Sequence, residues 1–220
     1  MRVLGLTGGI ASGKSTAANR LKELGALVLD ADRYGHRSYD KESEGFHAVV
    51  NEFGHDIVGA DGEIDRRILG GKVFGAPDKL KRLTDIVWPV IRELAAAEIL
   101  ELRESQPETI IVLEAAVLIE AEWQDLADEI WVVAVAPEVA RKRLMSRNNL
   151  SEEQAQARID VQITNEERVA HATVTIPNDG KQDPFLKAIN AEWELLAERI
   201  KRPAGKRPAG KRRAASGRKR

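Results

Sequence analysis

The sequence predicts an α/β fold, a five-stranded parallel sheet with helices on both faces. Three observations carry that prediction. A short apolar run, Arg2-Val3-Leu4-Gly5-Leu6, stops at Thr7-Gly8-Gly9, as a buried strand does when it meets a loop. A helical pattern then runs from Ser15 to Leu24, is ended by Gly25, and gives way to a second apolar run, Ala26-Leu27-Val28-Leu29. Strand, glycine-rich loop, helix and strand make a βαβ unit, whose strands are parallel. Further apolar runs of strand length recur down the chain between helical stretches.

The elements follow in order. From Arg33 to Glu108 the periodicity is helical, which predicts a 76-residue helical insertion between strands two and three. Within it Phe46, Val49, Val50 and Phe53 form one apolar face, and Gly59-Ala60-Asp61-Gly62 marks a turn. Pro77 opens a long helix toward Arg103, with Pro89 predicting a break or kink inside it. Thr109 to Leu113 is strand three, ending at Glu114, and Ile130 to Val135 is strand four. Pro137 opens the next helix; Ser151-Glu152-Glu153-Gln154 reads as the capped start of another, to about Val169. Thr173 to Ile176 is strand five, and a last helix runs from about Pro184 to Arg199.

Composition narrows the chemistry. The 220 residues are enough for one domain with an insertion, and 43% hydrophobic content supplies a core. There is no cysteine, which excludes disulfides, thiol catalysis and cysteine-ligated metals. The net charge of −1 conceals an asymmetry. Residues 201–220, with KRPAG given twice, carry ten Lys and Arg and no acid, leaving the first 200 residues with 24 basic and 35 acidic side chains, a net of −11. An acidic body argues against a surface built to grip nucleic acid. The tail has no apolar face to bury and is expected to be disordered, either as a solubilising or incidental tail or as an electrostatic arm for nucleic acid, membrane phosphate or a nuclear import receptor. The start of the chain shows no signal-peptide pattern and the longest apolar run is far short of a membrane span, so a soluble cytoplasmic protein is expected.

The first βα connection carries the chemistry. Gly8-Gly9-Ile10-Ala11-Ser12-Gly13-Lys14-Ser15, followed by Thr16, fits G-x-x-x-x-G-K-[ST]. The glycines let backbone amides turn into the loop, and the following helix points its positive end at the same place. Lys14 supplies a cation for the β- and γ-phosphates, and the Ser15 hydroxyl can ligate Mg²⁺ beside ATP. No N-K-x-D guanine reader follows, and Leu150-Ser151-Glu152-Glu153-Gln154 lacks the glycines of an ABC signature. A small-molecule kinase needs a carboxylate at the acceptor, an acceptor pocket and arginines over the transferring phosphoryl.

Each has candidates. Asp30 and Asp32 fall at the carboxyl end of strand two, where open parallel sheets bind ligands. Strand two is expected beside strand one, and an extended chain there would put both carboxylates on one side. Glu114, ending strand three, can orient Mg²⁺ through water or cap the next segment; Glu120 is harder to place. Arg143 and Arg147 share a helix face, with Arg141 on the same helix and Arg158 on the next, so a mobile lid is one reading and a solvated basic face the other. His36, His47, His55 and His171 show no metal-ligand spacing; His36 and His47, in the insertion, could touch the acceptor.

Leu6-Thr7-Gly8-Gly9-Ile10-Ala11-Ser12-Gly13-Lys14-Ser15-Thr16, Asp30-Ala31-Asp32, Phe53-Gly54, Asp61-Gly62 with Arg66, Val73-Phe74, Trp88-Pro89 and Leu113 to Glu120 together resemble the dephospho-coenzyme A kinase family over residues 1–200. The resemblance implies the nucleoside-monophosphate-kinase fold. It implies that ATP, with Mg²⁺, phosphorylates the ribose 3′-hydroxyl of dephospho-CoA to give CoA and ADP, the last step of CoA biosynthesis. It implies Asp32 as general base, Lys14 and the loop as phosphate holders, and Arg143 and Arg147 in a lid over about 141–168. It makes 33–108 the CoA-binding insertion, with Arg66 and Trp88 on the acceptor side. Two segments depart from the bacterial pattern. Trp88 stands where a histidine is usual, and Glu114-Ala115-Ala116-Val117-Leu118-Ile119-Glu120 replaces D-x-P-L-L-x-E. Both look like the kinase half of the bifunctional eukaryotic CoA synthase. Alternatives are another small-molecule P-loop kinase, for a nucleoside or gluconate, and a non-catalytic ATP-binding regulator using the basic tail.

Overall fold

Residues 2–201 are described by a computed structural model, and they form a five-stranded parallel sheet in the order β2-β3-β1-β4-β5. In chain order the strands are β1 (Arg2–Gly8), β2 (Leu27–Asp30), β3 (Ile110–Glu114), β4 (Glu129–Ala134) and β5 (Val174–Pro177). The helices are α1 (Lys14–Glu23), α2 (Ala31–Arg37), α3 (Glu44–Phe53), α4 (Arg66–Val73), α5 (Pro77–Ser105), α6 (Pro137–Asn148), α7 (Glu152–Asp160), α8 (Asn165–Ala170) and α9 (Gln182–Lys201).

The two-residue period of the strands builds two cores. Leu4 and Leu6 of β1, Val112 of β3, and Trp131 and Val133 of β4 join Ala17, Ala18 and Leu21 of α1 and Phe185, Ile189 and Leu196 of α9 on one face. On the other face Val3, Ile111, Leu113, Ile130 and Val132 meet the helices of the insertion, through Val49, Val50 and Phe53 of α3 and Val87, Ile91, Ala95 and Ile99 of α5. Strands buried on both sides are apolar throughout, which is why β1, β3 and β4 read as continuous runs.

The expectation that β2 lies beside β1 is overturned. β3 pairs with both and separates them, with Leu29 opposite Leu113 and Leu6 opposite Glu114. The reason is burial. Ile111, Val112 and Leu113 are fully buried, so β3 gains most from a central place, whereas Leu27 and Val28 are half-buried and tolerate an edge.

Three boundaries also differ. α5 runs as one helix through Pro89, so of the break or kink expected there the break is absent. Its buried residues lie on both sides of that point, and Pro89 and Asp85, whose carbonyl the proline cannot serve, are both exposed. The single helix expected from 151 to about 169 is two. Thr164 starts α8 with its own capping box to Glu167, as Ser151 starts α7 with Gln154. β2 stops at Asp30, and Asp30 Oδ1 accepts the Asp32 N–H at 3.0 Å to cap α2. The two carboxylates therefore do not share one side of an extended strand.

No helix among the described residues is long and apolar enough to cross a membrane. Beyond Lys201 the basic tail, expected to be disordered, lies outside the described residues.

Leu21 sits with no exposed surface between α1 and the sheet. Leu21→Ala is expected to lower stability by about 2–5 kcal/mol, through lost apolar burial and a cavity under the helix that carries Lys14. Urea unfolding followed by circular dichroism measures it as a lower midpoint with an unchanged slope.

Candidate active site

The carboxyl edge of the sheet gathers the site. β1 ends at Gly8, the loop Gly9–Gly13 crosses the edge, and α1 begins at Lys14. Backbone geometry sets the loop. Gly13 is the N-cap of α1 at φ 98°, and Ala11 also has positive φ, at 58°. The Ser12 N–H donates to the Gly9 carbonyl at 3.1 Å and closes the turn. Gly13 is required twice over, by its backbone angle and by space. A Cβ there would stand 2.3 Å from Asn178 Nδ2. No side chain caps α1 and no acid lies in its first turn, so its leading N–H groups and positive end are left for an anion.

Lys14 and Glu114 form the site's central contact. Lys14 Nζ lies 2.7 Å from Glu114 Oε1, and both side chains are largely buried. The Ser15 hydroxyl donates to the same carboxylate oxygen at 3.1 Å. Glu114 reaches them because β3 lies next to β1 and pairs Glu114 with Leu6. The capping alternative for Glu114 is therefore not what the structure shows.

A cavity of about 450 Å³ is lined by all nine residues from Gly8 to Thr16 together with Asp32, Ala116, Arg147 and Gln162. Asp32, one residue into α2, remains solvent-accessible. Enough protein surrounds its carboxyl that desolvation, the largest influence, raises its pKa above the ordinary aspartate value. Lys14 opposes that shift, Asp30 and Glu114 add to it, and His36 opposes it.

A second cavity, of about 630 Å³, opens beside the first and shares Ala11, Gly13, Thr16 and Arg147 with it. Arg143, Asn178 and Phe185 complete its wall with neighbouring residues of α6 and the β5–α9 turn. Arg143 Nη1 donates to the Ala11 carbonyl at 3.2 Å and Nη2 to the Asn178 carbonyl at 2.8 Å. Asn178 Nδ2 in turn donates to the Ser12 carbonyl at 2.7 Å. Arg143 thus fastens α6 to the phosphate loop, while Arg147 faces both cavities.

The other sequence candidates lie apart. Arg141 pairs with Glu152 at 3.1 Å and binds α6 to α7. Arg158 is exposed and lines neither cavity. Arg66 is exposed with Nη1 3.2 Å from His36 Nε2. Trp88 is half-buried and lines a separate cleft with Arg92, Ala121 and Trp123. All four histidines are exposed, and among the described residues no group of three acidic or histidine side chains could hold a metal. Glu120 receives Arg168 of α8 at 2.9 Å in a pair whose arginine is 1% exposed.

Sequence reasoning missed Gln162, Arg168 and Asn178. Asn178 follows β5 at the same edge as the phosphate loop, so the edge rule could have found it. Gln162 lies two residues before the Thr164 cap, in a turn where the sequence pattern predicts helix.

A parallel sheet with this loop at its carboxyl edge, an acidic residue across the cavity and arginines on the helix after β4 defines a P-loop kinase. The family model described as dephospho-CoA kinase matches residues 2–183. A dephospho-CoA kinase of Dehalococcoides mccartyi is 41% identical over 180 residues, 81% of this chain and 89% of that protein. The crystal structure of a Thermus thermophilus protein superposes with a TM-score of 0.71 at 32% identity, over 90% of this chain and 97% of that one. A Campylobacter jejuni dephospho-CoA kinase superposes at 0.58 and 27%, over 89% and 97%. This chain belongs to the dephospho-CoA kinase family.

Gly13→Ala forces a left-handed angle on a Cβ that would overlap Asn178. It is expected to destabilise the fold by more than about 1 kcal/mol and to weaken ADP binding in parallel. Thermal unfolding and calorimetric ADP titration of the same sample check both.

Proposed function

We propose that this chain performs its family's reaction, transfer of the γ-phosphoryl group of ATP to the ribose 3′-hydroxyl of dephospho-CoA, with Asp32 as the general base. The observation that carries the reading is the shared cavity, lined by the entire phosphate loop and by Asp32. Asp32 takes the hydroxyl proton, the freed oxygen forms a bond to the γ-phosphorus, and the bond from that phosphorus to the β,γ-bridging oxygen breaks to release ADP. A base with a raised pKa holds a proton better once it has taken it, which suits that role.

Lys14 exchanges Glu114 for the β- and γ-phosphates, and the loop amides and the start of α1 hold the same oxygens. Arg147, facing both cavities, is placed to neutralise charge on the phosphate chain as α6 and α7 close. The insertion from about 33 to 108 receives the acceptor. Arg66 and Trp88 lie outside the phosphate cavity, so their contacts fall on parts of dephospho-CoA remote from the reacting hydroxyl.

The site fits Mg²⁺. The Ser15 hydroxyl and the Glu114 carboxylate lie 3.1 Å apart, and one or two oxygen ligands with nucleotide phosphates completing the set are typical of this ion. When bound, Mg²⁺ neutralises charge on the β- and γ-phosphates. Ser15 and Glu114 are the residues that would hold it.

Asp32→Asn is expected to lower turnover with dephospho-CoA by about a hundredfold or more while leaving ATP affinity near wild type. Coupled ADP release and ATP titration read the two separately, and unchanged turnover would remove Asp32 from the role. Turnover of the wild type is expected to fall on acidification with an apparent pKa above the ordinary aspartate value. The same shift has a stability consequence. The folded state binds the Asp32 proton more tightly than the unfolded state does, so stability falls as pH rises from the ordinary aspartate value of 3.8 through the raised value. Asp32→Asn removes that cost. A higher unfolding midpoint than wild type at pH 7, with the difference shrinking as pH falls through the raised value and gone below 3.8, is the expected result.

A further inference from the structure

The turn between α7 and α8 touches the phosphate loop at a point that neither the loop motif nor the lid arginines explain. Gln162 Oε1 accepts the Ile10 N–H at 2.7 Å, across 152 residues of sequence. Gln162 and Arg168 both stand against Gly9 at ordinary contact distance. A Cβ at Gly9 would lie 3.4 Å from Arg168 Nη1 and 3.6 Å from Gln162 Oε1. Behind it Arg168 is buried, donates to the Ile163 carbonyl at 3.3 Å, and is paired to Glu120 at 2.9 Å. The residue after Gln162 is thereby tied to the loop that follows β3.

That bond decides which way the Gln162 amide faces. A backbone N–H can only donate, so the atom meeting it must be the side-chain oxygen. The amide nitrogen is then directed away from Ile10, with two N–H donors that make no hydrogen bond to the described residues. Gln162 lines the cavity shared by Lys14, Asp32 and Arg147. A neutral donor held by the loop itself, on the wall of a cavity built for phosphate, has a defined use.

We infer that Gln162 is a substrate-contacting residue of the phosphoryl-transfer step. Its Oε1 is anchored by Ile10, and its Nε2 donates to the γ-phosphoryl group as that group passes toward the acceptor. The inference rests on reading this cavity as the site of transfer. It adds a neutral donor to the cations already there, and it makes the α7–α8 turn part of the phosphate site, so that lid position and γ-phosphate recognition are coupled through one side chain.

The test compares ADP with the non-hydrolysable β,γ-imido analogue of ATP, both titrated with magnesium against the full chain, its Q162A and its Q162E variants. Q162A removes the donor without adding charge. Q162E keeps an acceptor for Ile10 but replaces the donor by a carboxylate. Both variants are expected to weaken the imido analogue by roughly tenfold or more while leaving ADP near its wild-type affinity, the size expected for a lost hydrogen bond to a charged group. Equal weakening of both nucleotides would mean that Gln162 only props the loop. An effect confined to Q162E would mean only that a negative charge is unwelcome nearby, and no effect would mean no contact. Each of those results overturns the inference. None of these titrations contains an acceptor, so failure of the wild type to phosphorylate dephospho-CoA would fall on the proposed reaction and not on Gln162.

Discussion

Lys14 and Glu114 meet 2.7 Å apart at the carboxyl edge of the sheet, and much of the structure is arranged so that they can. A largely buried cation needs a partner, because an ammonium group taken from water without one is costly. Glu114 supplies it only because β3, and not β2, lies beside β1. The same oxygen takes the Ser15 hydroxyl, so one carboxylate holds the two polar side chains that open α1. The cationic end of the site is thus kept in place before any phosphate arrives, and a nucleotide has only to displace a single carboxylate.

The rest of the machinery fastens to that point by hydrogen bonds from distant parts of the chain. Arg143 of α6 reaches the Ala11 carbonyl, Asn178 after β5 reaches the Ser12 carbonyl, and Gln162 before α8 reaches the Ile10 N–H. Three consecutive residues of the phosphate loop are each held by a side chain from beyond β4. The Ser12 N–H closes the turn onto the Gly9 carbonyl, and the Ile10 N–H and the Ala11 and Ser12 carbonyls are braced from outside, so the loop is shaped before it meets an anion. The buried Arg168–Glu120 pair extends the brace to the loop after β3.

Much of this was legible in the sequence, and the parts that were not share a cause. The strands, the alternation that gives two cores, the phosphate loop and the insertion all arise from local pattern, and local pattern is what a sequence displays. Asp32 could be placed because it follows the second strand by two residues, whatever that strand's neighbour. The order of the strands could not be read, because it depends on how total burial is shared among runs of similar apolarity. Asp30 departs from the extended arrangement for a local reason, since its cap of α2 competes with the strand for the same backbone. Thr164-Asn165-Glu166-Glu167 is as clear a helix start as Ser151-Glu152-Glu153-Gln154, and passing over it hid the turn that carries Gln162. Asn178 and Arg168 act through contacts more than forty residues away in sequence, and no spacing rule points to them.

If the braced loop and Asp32 act together as proposed, the phosphate goes to the ribose 3′-hydroxyl of dephospho-CoA. The direct measurement is the product itself. The purified chain would be incubated with Mg-ATP and dephospho-CoA, the acceptor's mass recorded, and the site of any added phosphate assigned by fragmentation, with a nucleoside and gluconate as competing acceptors. One phosphate added to dephospho-CoA at the ribose 3′ position, in step with ADP release, and none on the competitors, is the expected result. ADP release that ignores dephospho-CoA, or a phosphate found on another acceptor, would contradict it.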